Sequence, residues 1–261
     1  MKAAVATPLD VKLMNLAMVA LVMVFAGLCA VAAVRSFSRM SVFDIRGIEV
    51  NGDTRHNSSV TLRANVAPRI AGTFLTVDLA RVRAAFESAP WVRRAVVHRD
   101  FPNRLRVTLQ EHLPVALWGS EGDTRLVNNF GEVFEANLGE VDQDGLPNLA
   151  GPDGQSAEVL TMYRAIAPRF DAMDMSVEAL QLSARGSWSV RLEAGAQIEL
   201  GRGNASEVLP RLDRFLKTLT QVVSRYGRQA GSIESADLRH ENGYAIRLRG
   251  VSTVQPDAVK K

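Results

Sequence analysis

The sequence predicts an α+β protein: a single transmembrane helix, then a small unit ordered β-α-α-β-β, then a mixed α/β subdomain whose sheet is mainly antiparallel. Three observations carry that reading. Residues 13–34 hold no charged side chain; between residues 43 and 113, two-residue alternation flanks two short helical patterns; beyond Pro114, short strand signals are interrupted by two longer helical ones. The divisions that follow are a tail at 1–12, a span at 13–34, a first folded unit at 43–113, a second at 114–250 and a polar tail at 251–261. At 261 residues, with 47% hydrophobic and 23% charged side chains, the composition is globular and sufficient for one or two cores.

Roughly 20 apolar residues rising 1.5 Å each cross a hydrocarbon layer of about 30 Å, and the run at 13–34 has that length, with Asn15 as its strongly polar member. Lys12 and Arg35 bracket it as snorkelling anchors. A cleaved signal peptide has a shorter apolar region, about 7–15 residues, so retention is expected although Ala30-Val31-Ala32 resembles a cleavage site. Leu28 before Cys29 excludes a lipoprotein signal, which needs a small residue there. Lys2 and Lys12 on one flank, against Arg35, Arg39 and Arg46 on the other, do not settle sidedness, because large domains cross largely regardless of charge. Cys29 is the only cysteine, which excludes an intramolecular disulfide and a thiolate metal cluster.

After a connector at 36–41, residues 43–50 read as a strand whose alternation changes phase at Gly47; a bulge there puts Phe43, Ile45, Ile48 and Val50 on one face, and Asn51-Gly52 closes it. Ser58 or Ser59 caps a short helix ending near Pro68, and Asp78 caps a second in which Leu79, Val82 and Phe86 recur at helical spacing. Strands at 91–99 and 104–111 follow around Phe101-Pro102-Asn103, the second with Leu105, Val107 and Leu109 inward. In the second unit, 126–127 and 132–134 flank a turn at 128–131, and 139–154 reads as a Gly/Asp/Pro-rich loop. A helix at 157–170 and strands at 178–184, 188–193 and 197–200 come next. Asn204 and Glu207 predict a capping box for a long helix carrying Leu209, Leu212, Leu216, Leu219 and Val223, and a hairpin of 232–238 with 244–249 ends the fold.

No constellation predicts catalysis, a metal or a cofactor. His56, His98, His112 and His240 are scattered without ligand spacing, which makes them surface or interface histidines, and no Gly-x-Ser-x-Gly elbow occurs. Asp142-Gln143-Asp144-Gly145 lacks the later ligands of a calcium loop. Gly201-Arg202-Gly203 before a helix could cradle a phosphate, but without a βαβ context and a following lysine it reads as a turn. A net charge of +3 with no dense basic run argues against nucleic acid. Arg93, Arg94, Arg99, Arg104 and Arg106 concentrate on the second and third strands, as a solvated sheet face or one that meets anionic lipid. The last strand, entered through Arg239, His240, Asn242, Gly243 and Tyr244, lies at a sheet edge to which a partner strand can add, unless Arg247 and Arg249 shield it.

The ordered segments Ile48-Glu49-Val50-Asn51-Gly52, Pro90-Trp91-Val92, Phe101-Pro102-Asn103-Arg104-Leu105 and Glu111-His112-Leu113-Pro114-Val115-Ala116-Leu117-Trp118 resemble the FtsQ family of bacterial cell-division proteins. So do Asn128-Asn129-Phe130-Gly131-Glu132-Val133-Phe134, Leu146-Pro147-Asn148-Leu149-Ala150-Gly151-Pro152, and Leu200-Gly201-Arg202 leading to Arg211-Leu212-Asp213-Arg214-Phe215. The resemblance covers essentially the whole chain and implies a POTRA domain in the first unit. It further implies a cytoplasmic tail, a periplasmic bulk, a place in the inner membrane concentrated at the septum, and a non-enzymatic scaffold without a small-molecule substrate. The implied partners are FtsB and FtsL in a ternary complex, with other divisome proteins. The family's partner-binding strand matches residues 237–244, so Arg239, His240, Asn242, Gly243, Tyr244 and Arg247 are the candidate contacts, with His240 and the residues after Tyr244 departing from the family pattern. The competing class is a POTRA-containing outer-membrane assembly or secretion factor, which would show several POTRA units or a barrel of repeated strands.

Overall fold

A computed structural model of the chain describes residues 9–38, 40–119, 125–143, 145–240 and 243–251. It divides into two compact units, Met1–Glu111 and His112–Lys261.

The first unit opens with helix α1 (Leu9–Ser38), whose 30 residues span about 45 Å at 1.5 Å each. Asp10 in its first turn and Arg35 in its last complement the helix dipole, and the apolar side chains between them are exposed on all sides, as a helix in lipid requires. The helix outruns the expected span and takes up the first part of the expected connector: Ser38 Oγ donates to Arg35 O, and the Phe37 ring packs edge-on against Phe43, centroids 5.3 Å apart. Residues Ser41–Phe43 then form a turn of 3-10 helix, closed by the Asp44 N–H on Ser41 O at 3.2 Å. Phe43 is therefore not in a strand, and Gly47 is the first residue of β1 (Gly47–Gly52), not a bulge. The register from Gly47↔Arg104 to Gly52↔Leu109 is unbroken.

Helices α2 (Ser59–Val66) and α3 (Leu79–Glu87) and strands β2 (Val92–Asp100) and β3 (Arg104–Glu111) complete the unit in a three-stranded sheet ordered β1-β3-β2. The central β3 runs parallel to β1 and antiparallel to β2. Its alternation is the reason for its place: Leu105, Val107 and Leu109 are buried against Leu62, Val66, Val82 and Phe86 of the two helices. The Asp78 cap forms as expected, its carboxylate accepting the N–H groups of Ala80 at 2.9 Å and Arg81 at 3.3 Å.

The second unit is one nine-stranded sheet with helices α4 (Ser156–Asp171) and α5 (Ala205–Ser224). Its strands are β4 (Pro114–Trp118), β5 (Arg125–Asn128), β6 (Val133–Glu135), β7 (Asn148–Ala150), β8 (Val177–Leu182), β9 (Ser187–Leu192), β10 (Gln197–Arg202), β11 (Ile233–Asp237) and β12 (Ala245–Leu248). They lie in the order β12-β11-β10-β9-β8-β7-β4-β5-β6. Leu180, Val190, Ile198 and Leu200 from the sheet pack with Ile166, Phe170, Leu212 and Phe215 from the helices in one core. The expected loop at 139–154 contains β7, held between parallel partners β4 and β8, with Leu149 fully buried. The expected capping box does not form. Asn204 occupies the N-cap position, but its Oδ1 accepts from Ser206 Oγ at 2.6 Å rather than from a helix N–H.

Candidate functional site

Among the described residues strand β12 is an edge: it pairs with β11 alone, from Asp237↔Ala245 to Ile233↔Leu248, with a bulge in β11 between Ile233 and Ser235. Two bonds fix which way its peptides face. Leu238 donates its N–H to Glu199 O of β10 at 2.8 Å, and Arg249 donates to Ser232 O at 2.9 Å. By the alternation of an antiparallel ladder, Ala245 and Arg247 turn their N–H and C=O toward β11, and Ile246 turns both outward, where they are free to bond an added strand.

Side chains on the two faces of β12 do different work. Tyr244, Ile246 and Leu248 pack on the helix-covered core, and Ala245 and Arg247 are exposed on the other face. Tyr244 fixes the entry to the strand: its ring meets Phe215 of α5 edge-on at 5.0 Å, and its hydroxyl shares a hydrogen bond of 2.8 Å with Thr218 Oγ1. On the open face, Gln197, Glu199, Ser235, Asp237, Ala245 and Arg247 line a shallow groove of about 350 Å³. Arg247 pairs with Glu234 at 3.2 Å.

Leading into the edge, Asp237 accepts from the backbone N–H of Arg239 at 3.0 Å and from its Nε at 2.9 Å. These bonds, the side-chain one foremost, hold the Asp237 carboxyl down at about 2 against the opposing effect of partial burial, and raise the Arg239 pKa in turn. The Asp237–Arg239 clamp shapes the turn after β11, with the Arg239 stem close against Gly201, whose φ of +83° is a conformation that favours glycine. His240 is exposed beyond it, Gly243 stands in open space, and Asn242 lies outside the described residues.

The structure thus gathers Ile246 and Arg247 on one strand, with Tyr244 immediately before it and Arg239 at its approach. Of these, Ile246 was not singled out in the sequence, nor was Thr218, and Phe215 entered only within a family motif; the two hold Tyr244 from 26 and 29 positions away, and a helical stripe carries no sign of which strand it will back. What the edge offers is hydrogen bonding and shape. Among the described residues no group of His, Cys, Asp and Glu is placed to hold a metal. Two of the histidines expected at a surface or interface are half-buried, each stacked on an aromatic ring. His56 stacks on Trp91 at 3.9 Å with Nδ1 3.2 Å from Glu111, and His112 stacks on Phe134 at 4.2 Å with Nδ1 2.9 Å from Asn128. The glycine turn at 201–203 is braced by Arg211, which donates to Leu200 O and Arg202 O at 2.5 Å each.

Comparison with known proteins identifies this architecture. Residues 43–112 match the family model described as POTRA domain, FtsQ-type, and residues 116–239 match the one described as cell division protein FtsQ/DivIB, C-terminal. The cell division protein FtsQ of Thiomonas arsenitoxydans is 42% identical over 94% of this chain and 89% of its own length. The chain belongs to the FtsQ family. The FtsQ protein of Burkholderia pseudomallei is likewise 42% identical over 93% of this chain and 94% of its own, and that of Bordetella pertussis 34% identical over 92% of both. Membership places this FtsQ-family chain in the divisome, with α1 as a single apolar helix that fits one membrane span, followed by the POTRA domain. The matched C-terminal region ends at residue 239, so of the candidate contacts only Arg239 falls inside it.

Proposed function

We propose that this chain is a non-enzymatic divisome scaffold of the inner membrane, concentrated at the septum, that captures a segment of an FtsB-like partner, in complex with an FtsL-like one, by adding a strand to β12. In this reading α1 crosses the membrane with its N-terminus in the cytoplasm and the POTRA domain and sheet in the periplasm. The observation that carries it is the outward Ile246 peptide on an edge strand whose entry is fixed by Tyr244. An ordered edge loses little conformational freedom when a partner docks, which favours strand addition over self-association by a frayed edge. Arg247 on the open face, held by Glu234 at 3.2 Å, is a cation beside the edge whose pairing a docking strand must accommodate.

Two variants test this in the full chain, reconstituted in lipid nanodiscs and titrated with the periplasmic part of FtsB. Ile246→Pro removes the outward donor without touching the β11 ladder, and an edge strand tolerates proline where its N–H faces solvent. Arg247→Glu reverses the open-face charge. Each is expected to weaken binding about tenfold, roughly the 1.4 kcal/mol that an unsatisfied partner carbonyl costs at Ile246→Pro and that carboxylates brought together cost at Arg247→Glu. Unchanged affinity for both, with the fold intact by circular dichroism, would remove the assignment. In dividing cells, a fluorescent fusion gives a midcell band if the scaffold reading holds and a uniform envelope signal if it does not.

A further inference from the structure

At the α1 end of the POTRA domain three large apolar side chains stand in the open: Phe101 is 85% exposed, Val42 69% and Leu75 45%. Turns that join strands ordinarily carry polar residues, and the fold does not use the Phe101 ring in its core. Their position follows from a chain of direct bonds. The uncharged run of α1 ends at Val34, and Ser38 lies four residues on, about 6 Å along the axis. The headgroup layer on each side of a bilayer is roughly 5–8 Å thick, so the Ser38 carbonyl lies within it when α1 spans.

Thr73 Oγ1 donates to that carbonyl at 2.7 Å, and the Phe74 N–H donates to Phe43 O at 2.7 Å, which ties the loop after α2 to the end of α1. Arg99 locks the same loop to β2 by donating to Phe74 O at 2.7 Å and to Val77 O at 2.8 Å. The Phe74 ring then meets Phe101 edge-on, centroids 6.4 Å apart. Beside this turn the Arg46 N–H donates to Asn103 O at 2.9 Å, and the Arg46 and Arg104 side chains are exposed, with Asp44 and Asp100 as acidic neighbours, the latter paired with Arg106 at 3.0 Å. Exposed Phe and Leu flanked by arginine is the composition of surfaces that settle into a lipid interface.

We propose that the POTRA domain is seated on the bilayer, with Leu75 and Phe101 inserted into the interface of the membrane that α1 crosses. The seat makes the domain a membrane-oriented platform rather than a body swinging on a linker. It rests on the reading that α1 spans the membrane.

The test uses the full chain in bilayers of phosphatidylethanolamine and phosphatidylglycerol, with a nitroxide spin label on single cysteines. Leu75→Cys, Phe101→Cys and Val60→Cys are made in a Cys29→Ser background, and the native Cys29 is labelled separately. Val60 is the aqueous reference: it is exposed on the first turn of α2, next to the 55–57 loop that bonds Glu111, and so stands by the far end of β3 from Arg104, about 23 Å along the strand. Labels at 75 and 101 are expected to collide more with oxygen, which concentrates in lipid, than with a water-soluble nickel chelate, and the label at 60 to show the reverse. Nickel-dominated signals at 75 and 101 like that at 60, with a lipid-exposed label at 29, overturn the seat while leaving the span intact. A water-exposed label at 29 overturns the span and the seat with it.

Discussion

Glu111 shows how much one residue can hold in this fold. Its buried carboxylate accepts the backbone N–H groups of Arg55, His56 and Asn57 and the Asn57 side-chain amide, at 3.0–3.3 Å, so it serves as the anchor for a whole loop from the last position of β3. Glu111→Gln removes acceptor capacity and turns an NH₂ group toward N–H donors, so it should cost about 2–3 kcal/mol in urea unfolding, with faster amide exchange at 55–57. Asp237 makes a second prediction. Its carboxyl, held to about 2 by Arg239 against an ordinary 3.8, binds fewer protons folded than unfolded. The stability from this pair is therefore full above pH 3.8 and lost as the pH falls toward 2. Arg239→Ala should raise the Asp237 carboxyl toward its ordinary value, read by carbon NMR of the side chain. Asp78 was legible as a cap because its donors are two and three residues away; Glu111 was not, because its donors lie more than 50 residues earlier in the chain.

Elements repeat the same contrast between near and far. The stripe of α5 was readable from spacing, and the structure buries Leu212, Leu216, Leu219 and Val223 on it while adding Val208 and Phe215. Leu212→Ala should destabilise the second unit by about 2–5 kcal/mol, measured by denaturant unfolding, because the fully buried site cannot collapse around the cavity. Tyr244→Phe keeps the ring against Phe215 and removes only the Thr218 hydrogen bond, so a loss of about 1 kcal/mol and a frayed β12 in hydrogen exchange are expected. Strand β7 escaped the sequence because three residues are too few for a period to show. It is a strand by virtue of neighbours on both sides. Helix α1 continues past the apolar run for a related reason: the Phe37–Phe43 contact and the bond from Thr73 to Ser38 accompany its last turn, in what composition marks as a connector.

For the whole molecule, two compact units with separate cores predict separable responses: Glu111→Gln should leave the NMR shifts of the α5 residues in place, and Leu212→Ala those of Leu105 and Val107. The sequence by itself determined the apolar span, the β-α-α-β-β order, the amphipathic helices and the terminal hairpin, since each is written in spacing or in residues a few positions apart. It also carried enough ordered motifs to indicate the FtsQ family, which the comparisons show. Only the tertiary structure decided that β12 lies at the end of a nine-stranded sheet, that its Ile246 peptide faces outward and that Tyr244 is held by α5. It alone decided that Phe101 stands near the end of α1. Those are pairings across tens of residues, and local physical chemistry sets which face of a segment is apolar without setting which distant segment will cover it.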